Sequence, residues 1–155
     1  MFLGTLQGGE GVIILPADET GATAMDDIHI SLLSAAIAAI MSVWLGARCG
    51  KVRMSDKVLH GDGGNALLQR RMRAQANFVE YTPFVLVMIV LLDLLGHDGW
   101  ALGMTALGYF AARVLHAIGM DADYPAKTRQ IGIIATFLIL IGLALACILA
   151  ALRVI

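Results

Sequence analysis

Polar side chains recur at helical spacing inside apolar stretches of this sequence. In RMRAQANFVEYTP, the residues Arg73, Asn77 and Glu80 stand at i, i+4 and i+7, which places them on one face of a helix. A guanidinium binds carboxylates through paired hydrogen bonds, a carboxylate binds ammonium groups, and an amide both donates and accepts. Together with the arginine of a second stripe, Arg113, these groups fit a small zwitterion with several carboxylates.

A second stripe, Tyr109, Arg113 and His116, repeats the same spacing in a later apolar stretch. An ionisable side chain within a membrane span costs about 2.5 to 3.5 kcal/mol, so such groups should face one another or a wet cavity. Two stripes on adjacent helices predict a pocket between them. The alternative is a buried network in which Arg73 and Glu80 neutralise Arg113 or one another and only fix helix packing. For His116 alone, a core histidine with satisfied hydrogen bonds is the competing interpretation.

The elements that position the stripes follow from composition. The chain has 155 residues, of which 59% are hydrophobic and 15% charged, and its mean hydropathy is +0.80. Four apolar stretches approach the ~20 residues that cross a bilayer core; they are 28–47, 74–95, 100–119 and 131–152. The sequence thus predicts an all-α integral membrane protein with a four-transmembrane-helix bundle. Asn65 is the predicted N-cap of the second helix, and Asp93 is predicted to be a cap or a solvated group.

Charge and cysteine content exclude other classes. The net charge is −1 and no Lys/Arg-rich run is interleaved with aromatic residues, so nucleic acid is not an expected partner. Cys49 and Cys147 lie in no CxxC pair and near no run of histidines. We therefore expect two free thiols and no metal site.

The distribution of basic residues predicts an orientation. Arg48 is the first Lys or Arg of the chain, the loop after the first span is rich in both, and Lys127 and Arg129 follow the third span. By the positive-inside rule, both of these loops face the cytoplasm and both termini face outward, in a multi-pass protein of the cell inner membrane. Residues 1–24 are predicted to be a flexible extension that precedes a membrane domain spanning 25–155.

The motif RAQANFVEYTP resembles the RAxxNxxEYxP signature of the family of membrane-associated proteins in eicosanoid and glutathione metabolism. ARVLH in the third helix, Arg129 sixteen residues beyond Arg113, and similar loop proportions extend the resemblance over about 25–155. GDGG and NFVEY are most similar to the family's small bacterial branch. The resemblance implies a homotrimer that binds glutathione, as cosubstrate, at each subunit interface near the cytoplasmic side.

Carried over residue by residue, the resemblance implies a catalytic Arg129 that stabilises the glutathione thiolate. It also implies seven glutathione-binding residues: Arg48, Arg73, Asn77, Glu80, Tyr81, Arg113 and His116. Two positions depart from the family. Met120 stands where a tyrosine is frequent, and Cys49 stands where a second arginine is found. Whether the hydroxyl of Tyr109 or of Tyr124 replaces that tyrosine is left open.

The expected function is that of a membrane-bound glutathione-dependent transferase or peroxidase. A thiol with a pKa of about 8.5 is mostly protonated at neutral pH, and a guanidinium beside it lowers that pKa. The thiolate would attack a lipophilic electrophile or a lipid hydroperoxide that arrives through the bilayer. The expected partner beside glutathione is thus a lipophilic second substrate or a membrane lipid. Because of Met120, the main alternative is a non-catalytic protein that binds glutathione or another small anion. A four-helix drug transporter is the weaker alternative, since the first span contains no carboxylate.

Overall fold

The computed structural model describes residues 28–97 and 99–155, which form four long helices joined by turns. The helices are α1 (His29–Asp56), α2 (Ala66–Leu94), α3 (Trp100–Gly119) and α4 (Lys127–Ala151). Each is long and apolar enough to cross a membrane, which confirms the predicted four-helix membrane bundle. The predicted flexible extension, residues 1–24, lies outside the described residues.

The helices pack unequally around one core. α3 and α4 share the most extensive contact, α1 packs mainly on α2, and α2 touches both α3 and α4. The core is built from aliphatic and aromatic side chains, among them Leu45, Phe78, Val85, Ile89 and Phe110. On α4 only Gly132, Thr136 and Leu143 are buried. Most of the surface of α4 is therefore apolar and exposed, as expected of a helix that faces lipid or another subunit.

Helix α1 is longer than the sequence predicted. We expected the span to end at Ala47, but the helix continues to Asp56, which adds about 13 Å at 1.5 Å per residue. Cys49 and Val52 pack there against Leu68, at the start of α2. Tertiary packing therefore extends α1 beyond its apolar stretch, and the long loop expected after the first span shrinks to residues 57–64.

Glycines in the loop between α1 and α2 lead into an asparagine that caps α2. Gly61, Gly63 and Gly64 all have positive φ, at 63°, 58° and 76°, a region that glycine enters without steric cost. Asn65 Oδ1 then accepts a hydrogen bond from the Leu68 amide at 2.8 Å. This bond confirms the predicted N-cap of α2.

Asp93 ties the opposite end of the bundle together. Its carboxylate accepts hydrogen bonds from the backbone N–H of Ser31, at 2.9 Å, and from the Ser31 hydroxyl, at 2.5 Å. Only 1% of the residue is exposed. The carboxylate of α2 thus caps the first turn of α1, where the helix dipole favours negative charge. Of the two expected roles, the structure confirms the cap and excludes the solvated group.

Two glycines set the distance between α3 and α4. A Cβ at Gly132 would lie 2.6 Å from the Ala112 carbonyl oxygen and 2.6 Å from the backbone nitrogen of His116. A Cβ at Gly119 would collide with the backbone of Arg129. Small residues at both contacts let the two backbones meet, as is common between membrane helices.

We predict that Gly132→Ala destabilises the protein by about 1 to 3 kcal/mol, because the added methyl group overpacks the α3–α4 contact. Thermal unfolding in detergent measures the change. Gly142→Ala is the matched control, since a Cβ at Gly142 meets no atom within 4 Å and gains the same helix propensity. Equal melting temperatures for the two variants would contradict the proposed close contact.

Candidate functional site

The predicted site residues separate into three groups by burial. Arg113 and His116 are buried, with 2% of each residue exposed. The half-buried group is Arg48, Asn77 and Tyr81. The exposed group is Arg73, Glu80 and Arg129. The predicted site therefore has an inner part, Arg113 and His116, that contacts the core. Its outer part, Arg73, Glu80 and Arg129, lies on the surface of the chain.

The inner part connects three helices through Arg113. Its Nη1 donates to the hydroxyl of Thr136 on α4 at 3.4 Å, and its guanidinium lies 6.0 Å from the ring centre of Tyr81 on α2. Tyr81 in turn packs edge-to-face on Phe137, with ring centres 5.5 Å apart. Within the described residues, Arg113 Nε and His116 Nδ1 have no hydrogen-bond partner. His116 is therefore not the fully satisfied core histidine that was the competing interpretation.

The outer part carries charge that the chain itself does not neutralise. Across residues 28–97 and 99–155, neither Arg73, Glu80 nor Arg129 forms a salt bridge. Among the described residues, Arg73 and Glu80 therefore form no salt bridge with Arg113 or with one another. These three groups remain available to a ligand or to another subunit.

The two tyrosines that could replace the missing family tyrosine, Tyr109 and Tyr124, differ in burial. The Tyr109 side chain is fully buried, and its hydroxyl is hydrogen-bonded to that of Thr82 at 2.8 Å, which joins α3 to α2. Tyr124 lies in the turn after α3 and is 72% exposed. Met120, which stands where a tyrosine is frequent in the family, is buried. The hydroxyl of Tyr109 thus already serves helix packing, whereas that of Tyr124 lies at the surface.

The structure also shows an ion cluster that the sequence did not reveal, centred on Asp121 in the turn after α3. Arg71 of α2 forms a two-pronged contact with its carboxylate, from Nε to Oδ1 at 3.1 Å and from Nη2 to Oδ2 at 2.9 Å. Arg48 of α1 lies 2.7 Å from Oδ1. We call these three residues the Asp121 clamp. It joins α1, α2 and the α3–α4 turn at one end of the bundle.

Arg48, predicted to bind glutathione, is thus already engaged within the chain. Besides Asp121, it donates from Nη2 to the Ala117 carbonyl at 3.0 Å, and its guanidinium lies 4.8 Å from the ring centre of Trp44. Its other terminal nitrogen, Nη1, has no hydrogen-bond partner among the described residues. A ligand contact made by Arg48 would therefore compete with interactions that this guanidinium already makes inside the chain.

The electrostatics of the clamp favour a charged Asp121. Burial raises the pKa of the carboxyl group, but the hydrogen bonds and charges of Arg71 and Arg48 outweigh that effect, and the pKa lies below its ordinary value. A carboxyl group whose pKa is lowered on folding stabilises the protein at pH values above its unfolded pKa. That stabilisation is lost as the pH falls through the lowered, folded pKa.

Comparison with known proteins agrees with these observations. The family of membrane-associated proteins in eicosanoid and glutathione metabolism is called the MAPEG family. Its sequence profile matches residues 31–149, which is more than half of the chain. The chain belongs to the MAPEG family. The MAPEG match includes every predicted site residue, from Arg48 to Arg129. The resemblance of RAQANFVEYTP to the family signature is thereby confirmed.

Two relatives are both named inner membrane protein YecN. The protein of Escherichia coli strain K12 is 28% identical to this MAPEG chain over 117 residues, which cover 76% of this chain and 88% of the relative. The protein of Escherichia coli O6:H1 gives the same identity and the same coverage. The similarity therefore spans most of both proteins.

We predict that Asp121→Asn lowers stability at neutral pH by about 1 to 2 kcal/mol, because two guanidinium groups lose their charged partner at a partly exposed position. Thermal unfolding from pH 8 down to pH 3 measures the difference from wild type. The difference should stay constant to about pH 4 and shrink below it, as the wild-type carboxyl group takes up a proton. A difference that disappears between pH 8 and pH 5 would contradict a lowered pKa of Asp121.

Proposed function

We propose that this MAPEG protein is a membrane-bound glutathione-dependent transferase or peroxidase of the cell inner membrane. The observation that supports the proposal is the outer part of the site, where Arg73, Glu80 and Arg129 are exposed on an apolar bundle without a salt bridge in the described chain. Glutathione has two carboxylates, one ammonium group and one thiol. In this proposal Arg73 complements a carboxylate, Glu80 complements the ammonium group, and Arg129 complements the thiolate.

A second copy of the chain would complete the site. Glu80 lies seven residues beyond Arg73 along α2, or about 10 Å deeper along the helix. In a lone subunit such a carboxylate would meet lipid, at a cost of several kcal/mol. Symmetric association would cover this face with a neighbouring subunit and with the ligand. Our proposal therefore includes the homotrimer that the family resemblance implies.

The chemistry would begin at the sulfur of glutathione. The charge of Arg129 would lower the pKa of the bound thiol, so that more of it is present as thiolate at neutral pH. In a transfer reaction the thiolate forms a C–S bond and the leaving group departs with its electron pair. With a lipid hydroperoxide, sulfur takes the distal oxygen, the alkoxide takes a proton, and a second glutathione thiol then yields the disulfide and water.

A second candidate is a glutathione-binding protein without turnover. It is favoured by Met120, which provides no hydroxyl, and by the engagement of the Tyr109 hydroxyl with Thr82. Calorimetric binding of glutathione together with a turnover assay on an aryl chloride and on a lipid hydroperoxide separates the two candidates. Binding with no turnover of either substrate class would select the second candidate.

The proposed orientation places the Asp121 clamp at the cytoplasmic end of the bundle. The loops after α1 and α3 would face the cytoplasm and both termini would face outward, because Lys and Arg are concentrated at this end of the bundle, between Arg48 and Arg73 and at the start of α4. The name of the E. coli relatives, inner membrane protein YecN, supports the choice of membrane.

We predict that Glu80→Gln weakens glutathione binding about 10- to 100-fold, because the partner of the ammonium group is lost while the size of the side chain is kept. Calorimetry in detergent gives the affinity, and a melting curve shows whether the fold is retained. Asp62→Asn is the control: it removes one charge from the α1–α2 loop and keeps the oxygen that accepts from Gly64. If Glu80→Gln instead melts early without a change in affinity, Glu80 has a packing role.

We predict that Arg129→Ala raises the pKa of the bound glutathione thiol by about 1 to 2, because one charge-assisted contact to sulfur is lost. Ultraviolet absorbance of the thiolate during a pH titration measures this pKa, and calorimetry on the same samples gives the affinity, which should change less. Lys127→Ala, also exposed and two residues earlier on α4, is the control. An unchanged thiol pKa would transfer the activating role to Arg113.

A further inference from the structure

A buried hydroxyl on α4 lies against the arginine of the inner part. Thr136 is 0% exposed and Arg113 is 2% exposed, and Thr136 is not one of the predicted glutathione-binding residues. Burying a hydroxyl costs free energy unless it is hydrogen-bonded. The hydrogen bonds of Thr136 therefore indicate what this side chain does inside an otherwise apolar bundle.

The contact is possible because α3 and α4 meet one turn earlier. Gly132 stands four residues before Thr136, on the same face of α4, at the point where a Cβ would collide with the backbone of α3. On α3, Arg113 directly follows Ala112, whose carbonyl oxygen is one of the atoms at that contact. This close approach of the two helices brings the Thr136 hydroxyl to Arg113.

The hydroxyl of Thr136 has one hydrogen to donate, and its own helix already takes it. Oγ1 donates to the Gly132 carbonyl at 2.7 Å, a bond that selects one of the rotamers open to a helical threonine. A hydroxyl has a single donor and two acceptor lone pairs. Toward its other neighbour, Nη1 of Arg113 at 3.4 Å, this oxygen can therefore only accept. A hydrogen bond of that length is weak, so we assign it an orienting role rather than a large stabilising one.

Arg113 has few other contacts that set its orientation. A guanidinium is always charged and carries five N–H donors, yet across residues 28–97 and 99–155 no salt bridge involves Arg113. Its Nε has no hydrogen-bond partner there. The ring of Tyr81 lies 6.0 Å from the guanidinium carbon and accepts no directed hydrogen bond at that distance. The Thr136 oxygen is thus the acceptor that fixes this cation, and donors remain for an anionic group.

We propose that Thr136 is a positioning residue of the glutathione site: its hydroxyl orients Arg113 so that the free N–H groups of the guanidinium meet a carboxylate of glutathione. This inference rests on the proposed function, because glutathione supplies the carboxylate. A guanidinium binds a carboxylate through two parallel N–H groups, and that geometry depends on the plane of the guanidinium. Loss of the hydroxyl should therefore weaken binding although the charge of Arg113 is kept.

Calorimetry of glutathione binding to the full-length protein in detergent tests the proposal with two variants of opposite effect. Thr136→Val keeps the volume and removes the hydroxyl, so glutathione should bind about 3- to 10-fold more weakly. Thr136→Ser keeps the hydroxyl and removes the methyl group, so the affinity should stay near the wild-type value although the small cavity lowers the melting temperature. A packing role would give the reverse order, since valine fills the space and serine does not.

Two further comparisons show whether the effect acts through Arg113. Thr105→Val is the matched control, because Thr105 Oγ1 makes the same bond to its own helix, to the Ala101 carbonyl at 2.8 Å. Thr105 lies about two turns before Arg113 on α3, so this variant should bind glutathione as the wild type does. Arg113→Met removes every N–H donor, and adding Thr136→Val to it should cause no further loss of affinity.

Three results would overturn the proposal and leave the proposed function intact, because the wild-type protein would still bind glutathione. They are unchanged affinity in Thr136→Val, weaker binding by Thr136→Ser than by Thr136→Val, and additive losses in the Arg113/Thr136 double variant. If Thr136→Val fails to fold while Thr136→Ser folds and binds normally, the hydroxyl serves the fold and the positioning role is overturned. A wild-type protein that binds no glutathione would overturn both the inference and the proposed function.

Discussion

The cost of placing charge in hydrocarbon controls how this bundle is arranged. The chain meets that cost at one end of the bundle, where the buried Asp93 caps the first turn of α1; at the opposite end Asp121, in the turn outside the spans, pairs with Arg71 and Arg48. Each carboxylate also joins helices that are distant in sequence. The side chains that receive no such partner within the described chain, Arg73 and Glu80 among them, are the ones that require an explanation outside the subunit. Function and assembly are therefore parts of the same electrostatic problem.

The packing of the bundle gives the unpaired groups fixed positions. Gly119 and Gly132 bring α3 and α4 into backbone contact, which sets Arg129 at the start of α4 close to the end of α3. The Asp121 clamp holds that same end against α1 and α2. Binding groups carried on helices that are themselves held in this way keep their mutual geometry, which favours tight and selective binding. The proposed thiolate-stabilising residue thus lies on a rigid part of the structure.

The sequence was informative where a property depends on one helix alone. Apolar length identified the four spans, and the type of residue at Asn65 identified a helix cap. Spacing showed that Arg113 and His116 share a face, but it could not show which side chains lie opposite them. The contact of Arg113 with Thr136 and the ion pair of Arg48 with Asp121 were therefore missed. The extension of α1 to Asp56 was missed for the same reason, since it depends on packing against Leu68. The one available signal for the clamp was that Asp121 is the first acidic residue after the third span, at the end where arginines collect.

Our central claim is that the exposed charges on α2 and α4 are completed by glutathione and by neighbouring copies of the chain. Native mass spectrometry in detergent, with and without glutathione, measures the number of chains and of bound glutathione molecules in the same particle. The account predicts three chains that bind glutathione as an assembly, and loss of glutathione binding when the assembly is dissociated. A monomer that binds glutathione with the full affinity of the assembly would contradict it.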